Sequence, residues 1–200
     1  ATAASEGMLL ARRAARKVKS NRFLVHTHLF DQVRDVVLGH AEATGIEVVE
    51  TDLRDPQSWR PEVEAGCFGV LAPYPDSTGA LWNPSEVFDA VHKVGGITIA
   101  ECGLLSLTLL APPGELGADV AVGSSQRFGG PMGDGGPHAA YMSVRSGLER
   151  QIPGRLVGVS TDADGNPAYR LALQTREQHI RRDKATSNIC TAQAVSYTHL

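Results

Sequence analysis

Apolar and polar positions along the chain follow a pattern that predicts short strands separated by helices. Apolar runs predict strands at 46–51 and 66–72, and buried strands at 22–27, 97–100 and 119–122. Helical spacing predicts helices over 1–17, 30–44 and 83–94, with Gly45 placed to end the second. Strands that alternate with helices of about three turns are typical of βαβ units. The sequence therefore predicts an α/β fold with a mainly parallel sheet and flanking helices.

The pattern changes in the last third of the chain. Residues 138–144 predict a further strand, and 157–173 predict a hairpin that turns at Asp164-Gly165-Asn166. Before them, segment 111–137 holds eight glycines and four prolines in 27 residues. Either its backbone needs unusual conformations, or its amides approach a ligand or another subunit closely. The second interpretation is favoured because a connection this long is uncommon unless it is functional.

Composition excludes several classes of protein. The chain has 200 residues, of which 42% are hydrophobic and 20% charged, so wholesale disorder is excluded. A net charge of −3 argues against a nucleic-acid partner. The longest apolar run, 104–111, is shorter than the roughly 18 residues of a membrane helix, so no membrane partner is expected. Three widely spaced cysteines argue against a disulfide scaffold or a zinc finger.

Three short motifs carry weak signals for function. His26-x-His28 follows a predicted strand without neighbouring cysteine or carboxylate ligands, so no metal is expected and core or loop histidines are favoured. The basic cluster 12–19 on the first helix is interpreted as a solvated face. Glu101-Cys102 closes a predicted strand, where open α/β sheets place groups that contact ligands.

The densest cluster of candidate side chains lies in segment 174–188. Its basic members are Arg176, His179, Arg181, Arg182 and Lys184. Such a cluster suits a phosphate or a carboxylate, which arginine holds with two parallel hydrogen bonds. A surface helix of mixed charge is the alternative, since Glu177 and Asp183 lie in the same segment. Lys184 could also be a Schiff-base lysine whose pKa is depressed by neighbouring cations.

Four blocks carry a resemblance to a known family: 123–129, 131–140, 153–159 and the ungapped block 169–193. Together they resemble the P-proteins of the glycine cleavage system, the glycine dehydrogenases (decarboxylating), over about residues 1–194. The resemblance implies an incomplete large domain of the fold type I, pyridoxal-phosphate-dependent transferase-like class. The chain begins at Ala1 inside a predicted helix, so we expect a fragment; residues 195–200 do not match and are predicted to be a non-native tail.

The resemblance also implies a chain of two homologous halves, of which this is the N-terminal one. In the other half a His-Lys-Thr-Phe sequence supplies the Schiff-base lysine, and Gln126 stands at the equivalent position here. Ala100 stands where the aspartate that partners the pyridinium nitrogen is expected, and Gly103 stands where many members carry an aspartate. An amide cannot form an imine. This half is therefore expected to hold no catalytic residue and no covalently bound cofactor.

The role implied for this half is to wall the active site of the other. The candidate wall residues are Gly135, Gly136, His138, Arg176, His179, Arg181, Arg182 and Lys184. The implied partners are the C-terminal half or a second P-protein subunit, which holds the pyridoxal phosphate, together with glycine and the lipoylated H-protein. The whole enzyme would decarboxylate glycine and transfer the aminomethyl group to the lipoyl arm. It would act in the mitochondrial matrix of a eukaryote or the cytoplasm of a bacterium.

Two alternatives stay open. The chain could be a non-catalytic scaffold that only stabilises a partner half. It could also be an independent pyridoxal-phosphate enzyme that uses Lys184.

Overall fold

A computed structural model describes residues 1–132, 134, 139–153, 155–174 and 182. The chain divides into two compact units, Ala1–Ser146 and Gly147–Leu200. In the described residues, no helix is both long and apolar enough to cross a bilayer.

A six-stranded sheet forms the centre of the first unit. Its strands are β1 (Arg22–His26), β2 (Glu47–Thr51), β3 (Gly69–Tyr74), β4 (Ile97–Cys102), β5 (Val120–Ser124) and β6 (Ala140–Val144). Their order is β2-β1-β3-β4-β5-β6; the first five are parallel, and β6 is antiparallel to β5. Every residue of β3 is buried, as expected for a central strand covered on both faces. The predicted mainly parallel sheet is confirmed.

Four helices flank this sheet: α1 (Thr2–Ala14), α2 (Asp31–Thr44), α3 (Pro56–Glu64) and α4 (Ser85–Lys93). Gly45 ends α2 with a left-handed φ of 67°, as predicted. Helix α3 was not predicted. It is short, and it begins at Pro56 after Asp55, whose side chain accepts a hydrogen bond from the Gln57 N–H at 3.0 Å.

The helices cover the two faces of the sheet. Trp59 and Val63 of α3 and Phe88 of α4 join one buried cluster with Val70 of β3. On the other face, α1 lies over β3 to β6 and packs beside α2. Open α/β sheets bind ligands where the strands end, away from the faces that helices cover.

The second unit contains the predicted hairpin. Strands β7 (Arg155–Thr161) and β8 (Pro167–Gln174) pair antiparallel. Asp162 organises the turn, because its Oδ1 accepts the N–H groups of Asp164 at 2.9 Å and Asn166 at 2.8 Å.

Candidate functional site

The carboxyl ends of β1 to β5 meet at one edge of the sheet, because these strands are parallel. Open α/β sheets bind ligands at this edge. We call it the carboxyl edge. Two groups of side chains lie there, one at β4 and β5 and the other at β1 to β3.

Glu101 is the acidic group of β4 at the carboxyl edge. It follows Ala100, which pairs with Ala121 of β5 in the sheet register. Burial raises the pKa of Glu101, although the positive charge of Arg127 opposes this shift. Its Oε2 is buried and has no hydrogen-bond partner among the described residues. Glu101 is therefore poised to accept a donor or to hold a proton.

Cys102 and Tyr141 link β4 to β6 across β5. The Tyr141 hydroxyl donates to the Cys102 carbonyl at 2.8 Å and lies 3.0 Å from the Cys102 Sγ. Burial raises the pKa of both groups. Because the thiol and the phenol stay neutral, this pair ties strands together and does not supply a nucleophile.

Gln126 lies in a short 3₁₀ helix, Gln126–Phe128, just after β5. Its side chain is half-buried, and its carbonyl accepts the Gly130 N–H at 3.0 Å. The neighbouring Arg127 reaches towards Gly103 after β4. The loop after β5 therefore lies beside the end of β4. By the family resemblance, Gln126 and Ala100 stand at two cofactor-binding positions of the other half.

A buried network occupies the carboxyl ends of β1, β2 and β3. The Leu53 N–H donates to His26 Nδ1 at 3.1 Å, so Nε2 carries the proton of the neutral ring. This Nε2 lies 3.6 Å from Asp76 Oδ2, and Arg54 Nη1 donates to the same oxygen at 3.3 Å. Burial lowers the pKa of His26, against the opposing charge of Asp52. The network thus holds a neutral histidine between two carboxylates.

Sequence reasoning missed this network. Asp52, Arg54 and Asp76 are separated from His26 by 26 to 50 positions, and the sheet order brings them together. His26 is buried, which confirms it as a core histidine, and its ring centroid lies 5.5 Å from that of His28. In the described part of the chain, no group of three or more His, Cys, Asp or Glu is placed to hold a metal ion.

Most predicted wall residues lie outside the described residues: Gly135, Gly136, His138, Arg176, His179, Arg181 and Lys184. Of this set, Arg182 is described, and it is exposed with a left-handed φ of 50°. The proposal that these side chains form one surface therefore stays a prediction.

The described residues do not fit a covalently bound pyridoxal phosphate. Among them, the lysines are Lys17, Lys19 and Lys93, which lie at or beyond the carboxyl-terminal ends of α1 and α4. These helix ends lie at the opposite edge of the sheet. Within the described residues, the carboxyl edge of β4 and β5 therefore presents an amide, Gln126, and a carboxyl, Glu101, but no lysine side chain that could form an imine.

Comparison with solved structures defines the class of the fold. The chain has the fold of type I pyridoxal-phosphate-dependent enzymes. It matches a glycine decarboxylase (P-protein) of the glycine cleavage system in inhibitor-bound form with a TM-score of 0.87 and 38% identity, over 98% of this chain and 44% of that one. A putative O-acetylhomoserine (thiol)-lyase from Campylobacter jejuni, which contains N'-pyridoxyl-lysine-5'-monophosphate, shares the fold at a TM-score of 0.55 and 17% identity, over 72% of this chain and 36% of that one.

Sequence comparison then gives the family. The glycine cleavage system P-protein model matches residues 1–198, and the chain belongs to this family. Two similar curated proteins are the glycine dehydrogenases (decarboxylating) of Cutibacterium acnes, 97% identical, and of Xanthomonas axonopodis pv. citri, 54% identical. Each match covers 98% of this chain, and 20% and 19% of the relatives respectively. The chain thus spans about a fifth of the length of the curated relatives it matches.

Proposed function

We propose that this chain is part of the N-terminal half of a glycine-decarboxylating P-protein, and that its carboxyl edge closes the active site of the other half. The 97% identity to a glycine dehydrogenase (decarboxylating) supports the enzyme. In this proposal, pyridoxal phosphate, when bound in the other half or a second subunit, supplies the electron sink for decarboxylation. Glycine is the substrate and the lipoylated H-protein takes up the aminomethyl group.

The distribution of exposed apolar side chains carries the proposal for the carboxyl edge. In the described part of the first unit, the exposed large apolar residues of loops that leave the carboxyl ends of strands are Phe30, Leu81, Leu105, Leu109, Phe128 and Met132. Val94, beside the end of α4, is the exception. Leu109 is 91% exposed and Met132 is 73% exposed. Apolar residues concentrated at one edge mark a surface that another protein segment covers.

Some of these apolar residues lie beside Gln126, which stands at the position of the Schiff-base lysine by resemblance. A Cβ built on Gly103 would meet both Arg127 Nη1 and Ser106 Oγ within 4 Å, so the loops after β4 and β5 are neighbours. Leu105 and Phe128 adjoin these contacts along the chain. Gln126, which cannot form an imine, therefore lies in the same surface that is proposed to face the other half.

Chain lengths support two halves. This chain covers 44% of the solved P-protein chain but 20% of the C. acnes relative, so the solved chain is about half as long. The family thus includes chains of two sizes, as expected if the halves are fused in one case and separate in the other. Both named relatives are bacterial, which favours the bacterial cytoplasm as the compartment.

This chain's own residues would act in two ways: apolar side chains would cover the active site, and basic side chains would bind an anion. The exposed apolar residues at the carboxyl edge would exclude water from the closed site, which strengthens electrostatic interactions inside it. The basic residues of segment 176–184 would face an anion: the cofactor phosphate, the glycine carboxylate or acidic residues of the other half. No proton transfer or bond formation is assigned to this half.

Charged substitutions at the carboxyl edge, made in the full-length C. acnes relative, test the proposal. Leu109→Glu and Phe128→Glu should lower glycine decarboxylation at least tenfold and weaken pairing of the halves, because a carboxylate would be buried at the contact. Val94→Glu is the matched control, since Val94 is exposed away from this edge. Equal activity in all three variants would contradict the proposal.

The second candidate function is a scaffold that only stabilises the partner half. Substitutions in segment 176–184 distinguish it from a half that contributes to the active site. Arg176→Ala and Arg182→Ala in the full-length enzyme should lower decarboxylation with little change in melting temperature if these cations face the active site. Unchanged kinetics with a lowered melting temperature would assign the arginines to structure and favour the scaffold.

A further inference from the structure

A cavity of about 380 Å³ opens at the edge of the sheet opposite the candidate site. His92 near the end of α4, Asp119 just before β5 and Arg145 just after β6 line it. They meet because β6 is antiparallel, so that Val144 pairs with Val120. Its size falls within the usual range of small-molecule sites, about 300–1,000 Å³.

Asp119 holds the two basic side chains in place. It is 4% exposed and accepts hydrogen bonds from the Thr98 N–H and from His92 Nε2, both at 3.0 Å. It also forms an ion pair with Arg145. Because these partners use the carboxylate fully, it orients His92 and Arg145 without being free to bind a ligand itself.

Thr98 fixes the tautomer of His92. Its hydroxyl donates to the Gly117 carbonyl at 2.8 Å, so its oxygen can act only as an acceptor towards His92 Nε2 at 3.2 Å. The Asp119 carboxylate is also an acceptor, so Nε2 must carry the proton. In the neutral form of the ring, the opposite nitrogen, Nδ1, is then an acceptor. Within the described residues, neither Nδ1 nor the terminal nitrogens of Arg145 make a hydrogen bond.

The lining of the cavity therefore includes donors on Arg145 and, in the neutral ring of His92, an acceptor. Arg145 supplies two N–H groups in the fork that matches an oxyanion. His92 Nδ1 needs a hydroxyl donor, and the Ser143 hydroxyl also lines the wall. A carboxylate would satisfy Arg145 but leave Nδ1 without a donor. A phosphate with one protonated oxygen satisfies both.

We propose that this cavity binds the phosphate group of a small phosphate monoester, with Arg145 donating to two oxygens and the remaining P–O–H donating to His92 Nδ1. The second pKa of a phosphate monoester is about 6, so the protonated form is accessible near neutral pH. Ala118, Ala121 and Val144 supply apolar surface for the organic part. The site is separate from the carboxyl edge and does not depend on the function proposed for that edge.

Calorimetric titration of the full chain tests the site with three probes: inorganic phosphate, glycerol 3-phosphate and sulfate. We expect saturable binding of both phosphates, tighter for the monoester. Sulfate, which carries no proton near pH 7, should bind at least tenfold more weakly. Equal affinity for sulfate and phosphate would overturn the proposal.

Three variants locate the binding. Arg145→Gln should weaken phosphate binding at least tenfold, whereas Arg16→Gln, an exposed arginine on the segment after α1, should leave it unchanged. Gly114→Leu adds bulk to the cavity wall at a position where an added Cβ meets nothing within 4 Å. It should abolish binding while the melting temperature stays within a few degrees. Binding that survives both Arg145→Gln and Gly114→Leu would place the phosphate elsewhere and overturn the proposal.

Discussion

Arg127 occupies the space that a side chain at position 103 would need. A Cβ built on Gly103 would lie 2.5 Å from Arg127 Nη1. The positive charge of Arg127 acts on Glu101, two residues before Gly103, and opposes the rise in its pKa caused by burial. Because Gly103 has no side chain, the Arg127 guanidinium can lie beside the end of β4.

Gly103→Ala should displace the Arg127 side chain and raise the pKa of Glu101 further, because a stabilising positive charge moves away. The far end of a flexible side chain can shift, so the loss in unfolding free energy should stay within about 1 kcal/mol. Titration of Glu101 followed by carboxyl ¹³C NMR measures the change. Gly114→Ala is the control, and an unchanged Glu101 titration in Gly103→Ala would contradict this account.

Gly123 should tolerate no side chain. A Cβ there would overlap the Cys102 carbonyl oxygen and approach Tyr141 Cε1 to 2.7 Å. Since backbone on a neighbouring strand cannot yield, Gly123→Ala should cost about 3 kcal/mol or prevent folding. Gly39→Ala, in an open position of α2, should instead stabilise by about 0.5–1 kcal/mol. Chemical denaturation compares the two variants. Similar stabilities would contradict the close packing of β4, β5 and β6 around Gly123.

His26 should make the chain less stable as the pH falls below 6.5. Burial lowers its pKa in the folded state, so the unfolded chain binds the proton more readily over this range. The free energy of unfolding should fall by up to about 1.4 kcal/mol per pH unit. His26→Asn keeps an acceptor for the Leu53 N–H but does not titrate, so its slope between pH 7 and 5 should be smaller. Identical slopes would assign the dependence to other groups.

Carboxylates near His26 titrate at lower pH and do not obscure this test. The hydrogen bond from Arg54 lowers the pKa of Asp52. Burial raises the pKa of Asp76, but hydrogen bonds from Thr78 and Ala80 and the charge of Arg54 outweigh it, so that its pKa is also lowered. Both groups therefore stay ionised over most of the range measured.

Strong periodicity made most of the fold predictable. The strands of the sheet and the glycine-ended α2 follow from local patterns, and their bounds differ from prediction by a few residues. Helix α3 was not predicted because Trp59 and Val63 are its only buried residues and Pro61 lies inside it. The Asp55-Pro56 start was a readable signal, since it combines a capping carboxylate with a proline at the first turn.

The side-chain clusters were less predictable because the sheet assembles them from distant positions. Asp119 lies 27 positions after His92 and 26 before Arg145, and the antiparallel pairing of β6 with β5 brings Arg145 to Asp119. No local pattern records such a pairing. The glutamine at position 126 gained its meaning from family resemblance, since a lone glutamine after a strand indicates nothing by itself.

Borohydride reduction after incubation with pyridoxal phosphate tests most directly whether this half lacks a Schiff-base lysine. Peptide mass mapping of the reduced chain, shown by circular dichroism to be folded, locates any phosphopyridoxyl group. With Gln126 after β5 and no lysine at the carboxyl edge in the described residues, no stoichiometric adduct should form. A single saturable adduct on Lys184 would contradict the account and make this chain a pyridoxal-phosphate enzyme in its own right.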